Sequence, residues 1–419
     1  MIASRISPRL QILAFLVGNA ISLIGNSLTL IALPWFVLDT TGSAGKTGLT
    51  GMAFALPAFL VGISGGALID RLGGRRMSVI ADIVSGVSVA LIPLLHDTVG
   101  LQFWQLLVLV FLGAMLDIPG LTARRTILPI LAERSGARPE AMNSAFEVTD
   151  ALSIIIGPAI AGVLIAWLGA VNLLLIDAGT FAISALLIGL FTPDIALPAE
   201  EPSERRGWTT ALSGMHMIVR DRLLLVVAIV LAFTNLLNGP FFNVIMPVIV
   251  DDRYHDASRY GLLLTAFGIG NLVGGTLYGV IGHRLRAYRR ELWLLGIAAV
   301  VAMRWLLLPD FPFAILLIVM ALTGLLAGPV NPLLVTVRFE RIAPQMRGRV
   351  FSSFAAIASV IEPIGMAATG LLIEQWGLHQ ALVVTAIAFT IILLVLPFLR
   401  VIGEMNRRDD DATSPTATP

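Results

Sequence analysis

The chain has 419 residues, 57% hydrophobic and 13% charged, with a net charge of +1, a mean hydropathy of +0.89 and no cysteine. An average soluble domain carries about 25% charged residues, so this sequence has roughly half the usual solvating surface, which excludes a soluble enzyme, a nucleic-acid binder and a disordered scaffold. Without cysteine there is no disulfide framework, thiol catalysis or Cys-ligated metal, and five scattered histidines, none paired at i, i+4, give no metal site.

The first element follows Arg5 and Arg9 and runs apolar from Leu10 to Leu38. It is too long for a signal-peptide core and has no small-residue cleavage site behind it, so an uncleaved span is expected. Eleven further apolar segments follow at approximately 48–69, 77–95, 101–121, 141–168, 170–192, 223–250, 259–282, 291–308, 312–337, 351–376 and 378–401. At about 1.5 Å per residue each is long enough to cross a hydrocarbon layer of ~30 Å as a helix. None alternates with the period of two that a barrel strand needs, and helices satisfy their own backbone in lipid. The expected fold is an all-α integral membrane protein with twelve transmembrane helices.

Sorting the basic residues tests this count. Of 28 Lys and Arg, 24 fall on one side of the twelve-span alternation, in the groups that begin at Arg5, Arg71, Arg124, Arg205, Arg284, Arg338 and Arg400. The other side holds Lys46, Arg253 and Arg259, and Arg304 lies within a span. Because positive charge collects in cytoplasmic loops, both termini are predicted to be cytoplasmic. Tryptophans 35, 104, 167, 305 and 376 all fall near outer ends, as an interfacial belt would.

The stretch from Pro193 to Asp221 is polar and central, with Pro198, Glu200, Glu201, Pro202 and Glu204. The expected organisation is an N-terminal six-helix bundle (1–192), a flexible cytoplasmic central loop (193–222), a C-terminal six-helix bundle (223–402) and a disordered cytoplasmic tail (403–419), acidic and then Ser/Thr/Pro-rich. The halves echo one another. Span 5 reads Ile156-Gly157-Pro158-Ala159-Ile160-Ala161-Gly162, then Trp167-Leu168-Gly169; span 11 reads Ile361-Glu362-Pro363-Ile364-Gly365, then Gly370 and Trp376-Gly377. Repeats of this kind build transporters from two pseudo-symmetric bundles with a cavity between them.

After span 2 comes Gly66-Ala67-Leu68-Ile69-Asp70-Arg71-Leu72-Gly73-Gly74-Arg75-Arg76. Gly and Arg belong in any inside turn, but an acid at the membrane edge before that basic run does not follow from positive-inside bias. The motif resembles the signature between helices 2 and 3 of the major facilitator superfamily. Span 5 is similar to that superfamily's antiporter motif, Gly-Pro-x-x-Gly-Gly, with Ala161 replacing one Gly. Further residues resemble the bacterial drug-efflux branch that includes macrolide exporters and tetracycline/aminoglycoside-type multidrug pumps: Ala32 to Leu38 with Thr41-Gly42-Ser43, Thr122-Ala123-Arg124, Leu128-Pro129, Asn143 through Gly162, and Arg347-Gly348-Arg349-Val350. Siderophore exporters share much of this pattern. Two positions depart from it: span 1 has Gly25-Asn26 where many members have Gly-Asp, and Gly279 stands where the second-half copy of the gating motif would place its acid.

The resemblance implies that Asp70 accepts from free backbone N–H groups at the cytoplasmic start of span 11, and that Arg71 or Arg75 pairs with Asp117. Such contacts latch the bundles together; the bland alternative is a set of solvated loop charges worth little. Gly157, Pro158 and Gly162 suit both tight helix packing and a leak-proof outer side, in a bent span 5 packed against its pseudo-symmetric neighbour. The glycines of span 8 (Gly268, Gly270, Gly274, Gly275) read as packing alone. Intramembrane acids cost about 2.5–3.5 kcal/mol each. Glu362, some 18 Å into span 11, and Asp150, with Glu147 one turn away, are therefore candidate proton carriers, or else neutral or Arg-paired structural acids. Asp82, Asp177 and Arg304 read as structural groups near enough to a membrane face to snorkel. Asn19 and Asn26 of span 1 and Asn235, Asn238 and Asn243 of span 7 fall, by the resemblance, on cavity-lining helices; they bond either a substrate or a neighbouring helix.

The expected function is export of small amphipathic organic molecules by rocker-switch alternating access, driven by proton antiport without a cofactor, with protons, substrate and the lipid bilayer as the partners of a monomer. A dedicated exporter of one metabolite or siderophore, or an importer on the same fold, is the alternative. No clustered nucleophile, metal site or phosphate cradle supports an enzyme.

Overall fold

The computed structural model describes residues 7–62, 65–193 and 208–406, and every regular element among them is helical. In chain order these are α1 (Pro8–Thr41), α2 (Ala44–Gly62), α3 (Gly65–Leu72), α4 (Gly74–Thr98), α5 (Phe103–Met115), α6 (Asp117–Ser135), α7 (Pro139–Phe191), α8 (Trp208–Arg220), α9 (Arg222–Pro240), α10 (Met246–Tyr254), α11 (Ala257–Ile281), α12 (Arg289–Leu306), α13 (Phe313–Ala327), α14 (Val330–Arg341), α15 (Arg347–Trp376) and α16 (Leu378–Val395). α1 opens on Pro8, whose missing N–H is harmless in a first turn, and stops at Gly42 in the left-handed region. A π-helical turn, Phe241–Ile245, joins α9 to α10.

Large apolar side chains cover the outside, Leu13, Val87, Ile154, Leu186, Ile318 and Leu394 among them. Water penalises so apolar a surface, whereas lipid tails accept it. Nine helical stretches among the described residues have the length and hydropathy to cross a membrane. The longest, α7, has 53 residues and breaks at Gly169 (φ 81°, ψ 158°). Gly377 (φ 89°) likewise separates α15 from α16. These are the two glycines that the repeated Trp-Leu-Gly and Trp-Gly sequences place in register, and only glycine enters that backbone region without strain.

The chain forms two compact units. The first comprises Met1–Trp208, Asn235–Thr265 and Ala358–Leu378; the second comprises Thr209–Thr234, Ala266–Ile357 and His379–Pro419. In the first, α1 lies along α7, α4 lies against α6 and α7, and α2 against α5. A cluster of Phe15, Ile127, Leu128, Leu131, Met142, Phe146 and Ile188 fills one part of its core. In the second, α11 meets α13 glycine to backbone: a side chain on Gly270 would strike Ala321 and Leu325, and one on Gly324 would strike Phe267 and Asn271.

Several details differ from expectation. The described end of the central stretch is helical: α8 occupies Trp208–Arg220, and its Gly214 lies against the Arg349 backbone of α15. Residues 194–207 and 407–419, which hold most of the expected loop and tail, lie outside the described residues. The start of the expected tail forms a 3-10 helix, Arg400–Asn406, with Ile402 and Met405 buried. Trp35 is buried, while Trp104, Trp167, Trp305 and Trp376 are exposed as a belt requires.

Candidate functional site

The first unit is organised around a buried cation. α6 carries Arg124 inward, where its guanidinium bonds Asp82 Oδ1 at 2.5 Å and donates to Ser78 Oγ (3.0 Å), Asn19 Oδ1 (3.1 Å) and Ser22 Oγ (3.2 Å). Ser184 of α7 donates to the other Asp82 oxygen at 2.7 Å. Four helices thus meet on one ion pair, with Arg124 4% and Asp82 2% exposed. Asp82 is enclosed by helices rather than extended along one to a membrane face, and Asn19 is fully buried on the guanidinium rather than facing a cavity.

Asp117 begins α6 and accepts from Ser85 of α4 at 3.1 Å; Ser85 also donates to the Gly113 carbonyl. Two cavities adjoin it. One, of about 330 Å³, is lined by Asn26, Thr29, Phe54, Ser85, Val89, Asp117 and Phe181. The other, of about 480 Å³, is lined by Ser22, Asn26, Asp82, Asp117, Arg124 and Phe181. Asn26 and Asp117 therefore belong to both. A third cavity of about 320 Å³ includes Thr29, Thr47, Thr50, Phe54, Asn243 and Met366. Beside them Asp177, on the second half of α7, is fully buried and accepts from Thr29 of α1 and from Thr180 (3.0 Å).

The gating motif is placed only in part. Asp70 and Gly66 lie in α3, but their side-chain surroundings lie outside the described residues. Gly73 makes the turn into α4 at φ 79°. Arg71 and Arg76 are exposed, and Arg75 donates to the Gly189 carbonyl of α7. The expected pairing of Arg71 or Arg75 with Asp117 does not form. Ser85, which holds Asp117, is ten residues along α4 from Arg75, or ~15 Å at the helical rise, beyond a guanidinium's reach.

The antiporter-type residues lie at close helix contacts. A side chain on Gly157 would strike Ser27 of α1, whose hydroxyl bonds the Ser153 carbonyl at 3.0 Å. A Cβ on Gly162 would lie 2.9 Å from the Ala257 carbonyl and 3.0 Å from the Gly261 Cα of α11. α2 and α15 repeat this arrangement: a Cβ on Gly370 would lie 2.6 Å from the Ala44 carbonyl and 2.9 Å from the Gly48 Cα. In each seam two glycines face each other, and each sits over the carbonyl four residues before its opposite. At its motif α7 thus meets α1 at Gly157 and α11, the span-8 helix, at Gly162.

Among the acids, Glu362 is half-buried, with its carboxyl against Gly239 of α9. Asp150 is half-buried, whereas Glu147 is exposed and pairs with Arg125 at 3.4 Å. Asn243 donates to the Gly239 carbonyl at 2.9 Å and lines the third cavity, while Asn235 and Asn238 sit half-buried on α9. In the second unit Arg304 is fully buried over the Phe389 ring, 4.3 Å from its centroid, and does not snorkel. Arg341 bridges Asp221 (2.6 Å) and Glu404 (2.5 Å), and Arg289 grips Glu340 through two nitrogens.

Sequence reasoning missed Glu374. Near the end of α15, it accepts from the Gly45 N–H and the Ser43 hydroxyl, both at 2.8 Å, and so caps the N-terminus of α2. An acid near the end of an apolar segment, with no Lys or Arg close to it in sequence, was the available signal.

Helices of this length and hydropathy suit a membrane, and the comparisons supply the family. The Major Facilitator Superfamily profile matches residues 15–242 and 228–418, so the chain belongs to that superfamily. It is 33% identical over 396 residues to the multidrug efflux pump Tap of Mycolicibacterium fortuitum, covering 91% of this chain and 94% of that one. Macrolide efflux protein A of Streptococcus pyogenes is 23% identical over 400 residues, covering 93% and 96%. Among solved structures, a variant of the nucleoside transporter NupG superposes with a TM-score of 0.75 at 14% identity, covering 93% of this chain and 99% of that chain, which speaks for the fold.

Proposed function

We propose that the protein exports small amphipathic organic compounds, drugs and antibiotics among them, across a bacterial cytoplasmic membrane by proton antiport with rocker-switch alternating access. The observation that carries this reading is the likeness to the Tap pump over nine-tenths of both chains. The first cavity supports it: Leu33, Phe54, Val89, Ile92, Leu109, Val110 and Phe181 make up most of its wall, beside Asn26, Thr29, Ser85 and Asp117, which suits lipophilic molecules better than sugars, whose hydroxyls each need a polar partner. At 100 mV one inward proton is worth ~2.3 kcal/mol, enough to hold roughly a 50-fold gradient of a neutral substrate.

Twelve crossings follow in this reading if α7 counts twice across Gly169 and if α2 with α3, and α12, each cross as well. The basic loops then place both termini in the cytoplasm, and the chain works as a monomer of two six-helix bundles joined by 193–222. Asp70 is the cytoplasmic latch, and Glu362, half-buried without an ion pair among the described residues, is the leading proton carrier of the C-terminal half. The test uses purified protein in proteoliposomes under an imposed pH gradient, following internal pH as a tetracycline, a macrolide, an aminoglycoside and a catechol siderophore are added. Proton movement driven by several unrelated drugs is the expected result. A response to one compound alone makes the protein a dedicated exporter, and movement of drug without protons ends the antiport reading.

A further inference from the structure

We infer that Asp177 is a second proton-binding group of the transport cycle, with Thr29 as the hydroxyl through which its proton reaches the cavity. The inference rests on the antiport reading and adds a site in the N-terminal half that the sequence assigned to structure alone.

The geometry is unusual for a structural acid. Asp177 is fully buried, yet both its oxygens are held by neutral hydroxyls, Thr29 on one and Thr180 on the other, and no cation bonds it among the described residues. Room for it is made by α1, where a side chain at Gly25 would run into Asp177 Oδ1 and Thr180 Oγ1. Of the ionisable groups on the elements packed around it, Asp82 on α4 and Asp117 and Arg124 on α6 line the adjoining cavity. The same helices also carry Arg75, Arg76, His96 and Asp97 (α4) and Arg125, Glu133 and Arg134 (α6), and α7 itself carries Glu140, Glu147 and Asp150. α1 brings none between Arg9 and Asp39. Arg124 is bound to Asp82, so one guanidinium stands against three carboxyls in this core. A buried anion without a partner is costly, and a carboxyl in that position is held as the neutral acid. An amide would join α1 to α7 through the same two positions at lower cost. What only the acid adds is a removable proton.

Thr29 supplies the route. Its side chain bonds Asp177 and lines the cavity that also holds Asn26 and Asp117. In the release step the Asp177 O–H proton passes to Thr29 Oγ1 while the Thr29 hydroxyl proton passes to a cavity water. Carboxylate and hydronium result, and the Thr29 hydroxyl is regenerated, its new proton directed at the Asp177 carboxylate.

The experiment compares wild type, Asp177→Asn, Thr29→Val and Thr29→Ser in proteoliposomes. It measures protons moved per molecule of whichever drug probe is carried, drug counterflow without a pH gradient, and the infrared band of protonated carboxyls on a pH jump. Asp177→Asn keeps the hydrogen bonds and is expected to leave counterflow near the wild-type rate while the proton-to-drug ratio falls at least twofold and one carboxylic band is lost. Thr29→Val is expected to slow proton-coupled transport at least tenfold, and Thr29→Ser to restore it. An unchanged ratio with an unchanged carboxylic band in Asp177→Asn overturns the proposal. If that variant does not fold, equal coupled rates for wild type and Thr29→Val overturn it instead. A wild type that carries drug without moving protons overturns the antiport reading itself, a result visible before any variant is made.

Discussion

Replacing Gly162 by valine probes the seam between α7 and α11. A Cβ there would lie 2.9 Å from the Ala257 carbonyl, 3.0 Å from the Gly261 Cα and 3.1 Å from the Ser258 Cα. All three are backbone atoms, so no side chain is able to swing aside, whereas carbon atoms prefer separations of about 3.5–4.0 Å. The helices must part by at least half an ångström, and overpacking of this kind costs typically ~1–3 kcal/mol. At ~1.4 kcal/mol per tenfold, the closed seam loses roughly five- to hundredfold in population. Gly179 on the same helix is the control, because a side chain there meets nothing within 4 Å. With no native cysteine to mask, Ser258→Cys reports the seam directly through its labelling by a membrane-impermeant maleimide. Labelling should rise at least fivefold in Gly162→Val and stay unchanged in Gly179→Val, with transport slowed only in the former. Equal labelling in both backgrounds refutes the steric argument.

Other expectations follow from the same core. Arg124→Gln should lower the melting temperature sharply in detergent, since removing one partner of a buried ion pair costs ~3–5 kcal/mol, and adding Asp82→Asn should recover part of the loss. If the double variant is no more stable than the single, the pair is not the reason for the burial. Glu374→Ala uncaps α2 and, at ~1 kcal/mol for a cap, should raise outside labelling of Ala44→Cys several-fold while leaving the melting temperature within about a degree or two.

The apolar runs, the basic loops and the paired Trp–Gly breaks were legible in the sequence because hydropathy and glycine each act locally. From the sequence Asp82 and Asp177 read as near enough to a membrane face to snorkel, whereas both are buried within the first unit. Depth along a helix follows from residue number, but whether a side chain meets lipid, water or four other helices depends on what lies beside it, and Arg124 supplied that context for Asp82. Only one side of each glycine seam was legible, for the same cause: Gly162 and Gly370 stood out in the repeat, but Gly48 and Gly261 look ordinary until those two stand opposite them. Arg75 found a carbonyl instead of an acid because resemblance transfers residue types more readily than their partners. The helix at Trp208–Arg220 hid in a stretch whose mixed composition reads as loop.

The two seams are made of Cα hydrogens against carbonyl oxygens, contacts worth ~0.5–1 kcal/mol each. Nothing in them titrates, and neither ionic strength nor membrane voltage acts on them. They behave as neutral fasteners, whose grip depends on volume alone. On the export proposal, a substitution there alters how readily the transporter turns over whatever it carries, so it rescales a resistance profile without reordering it. Reordering requires a change at Asn26, Phe54 or another cavity wall. Clinical or laboratory selection that yields uniform gains across unrelated drugs therefore points to the seams, and selection that trades one drug for another points to the cavity.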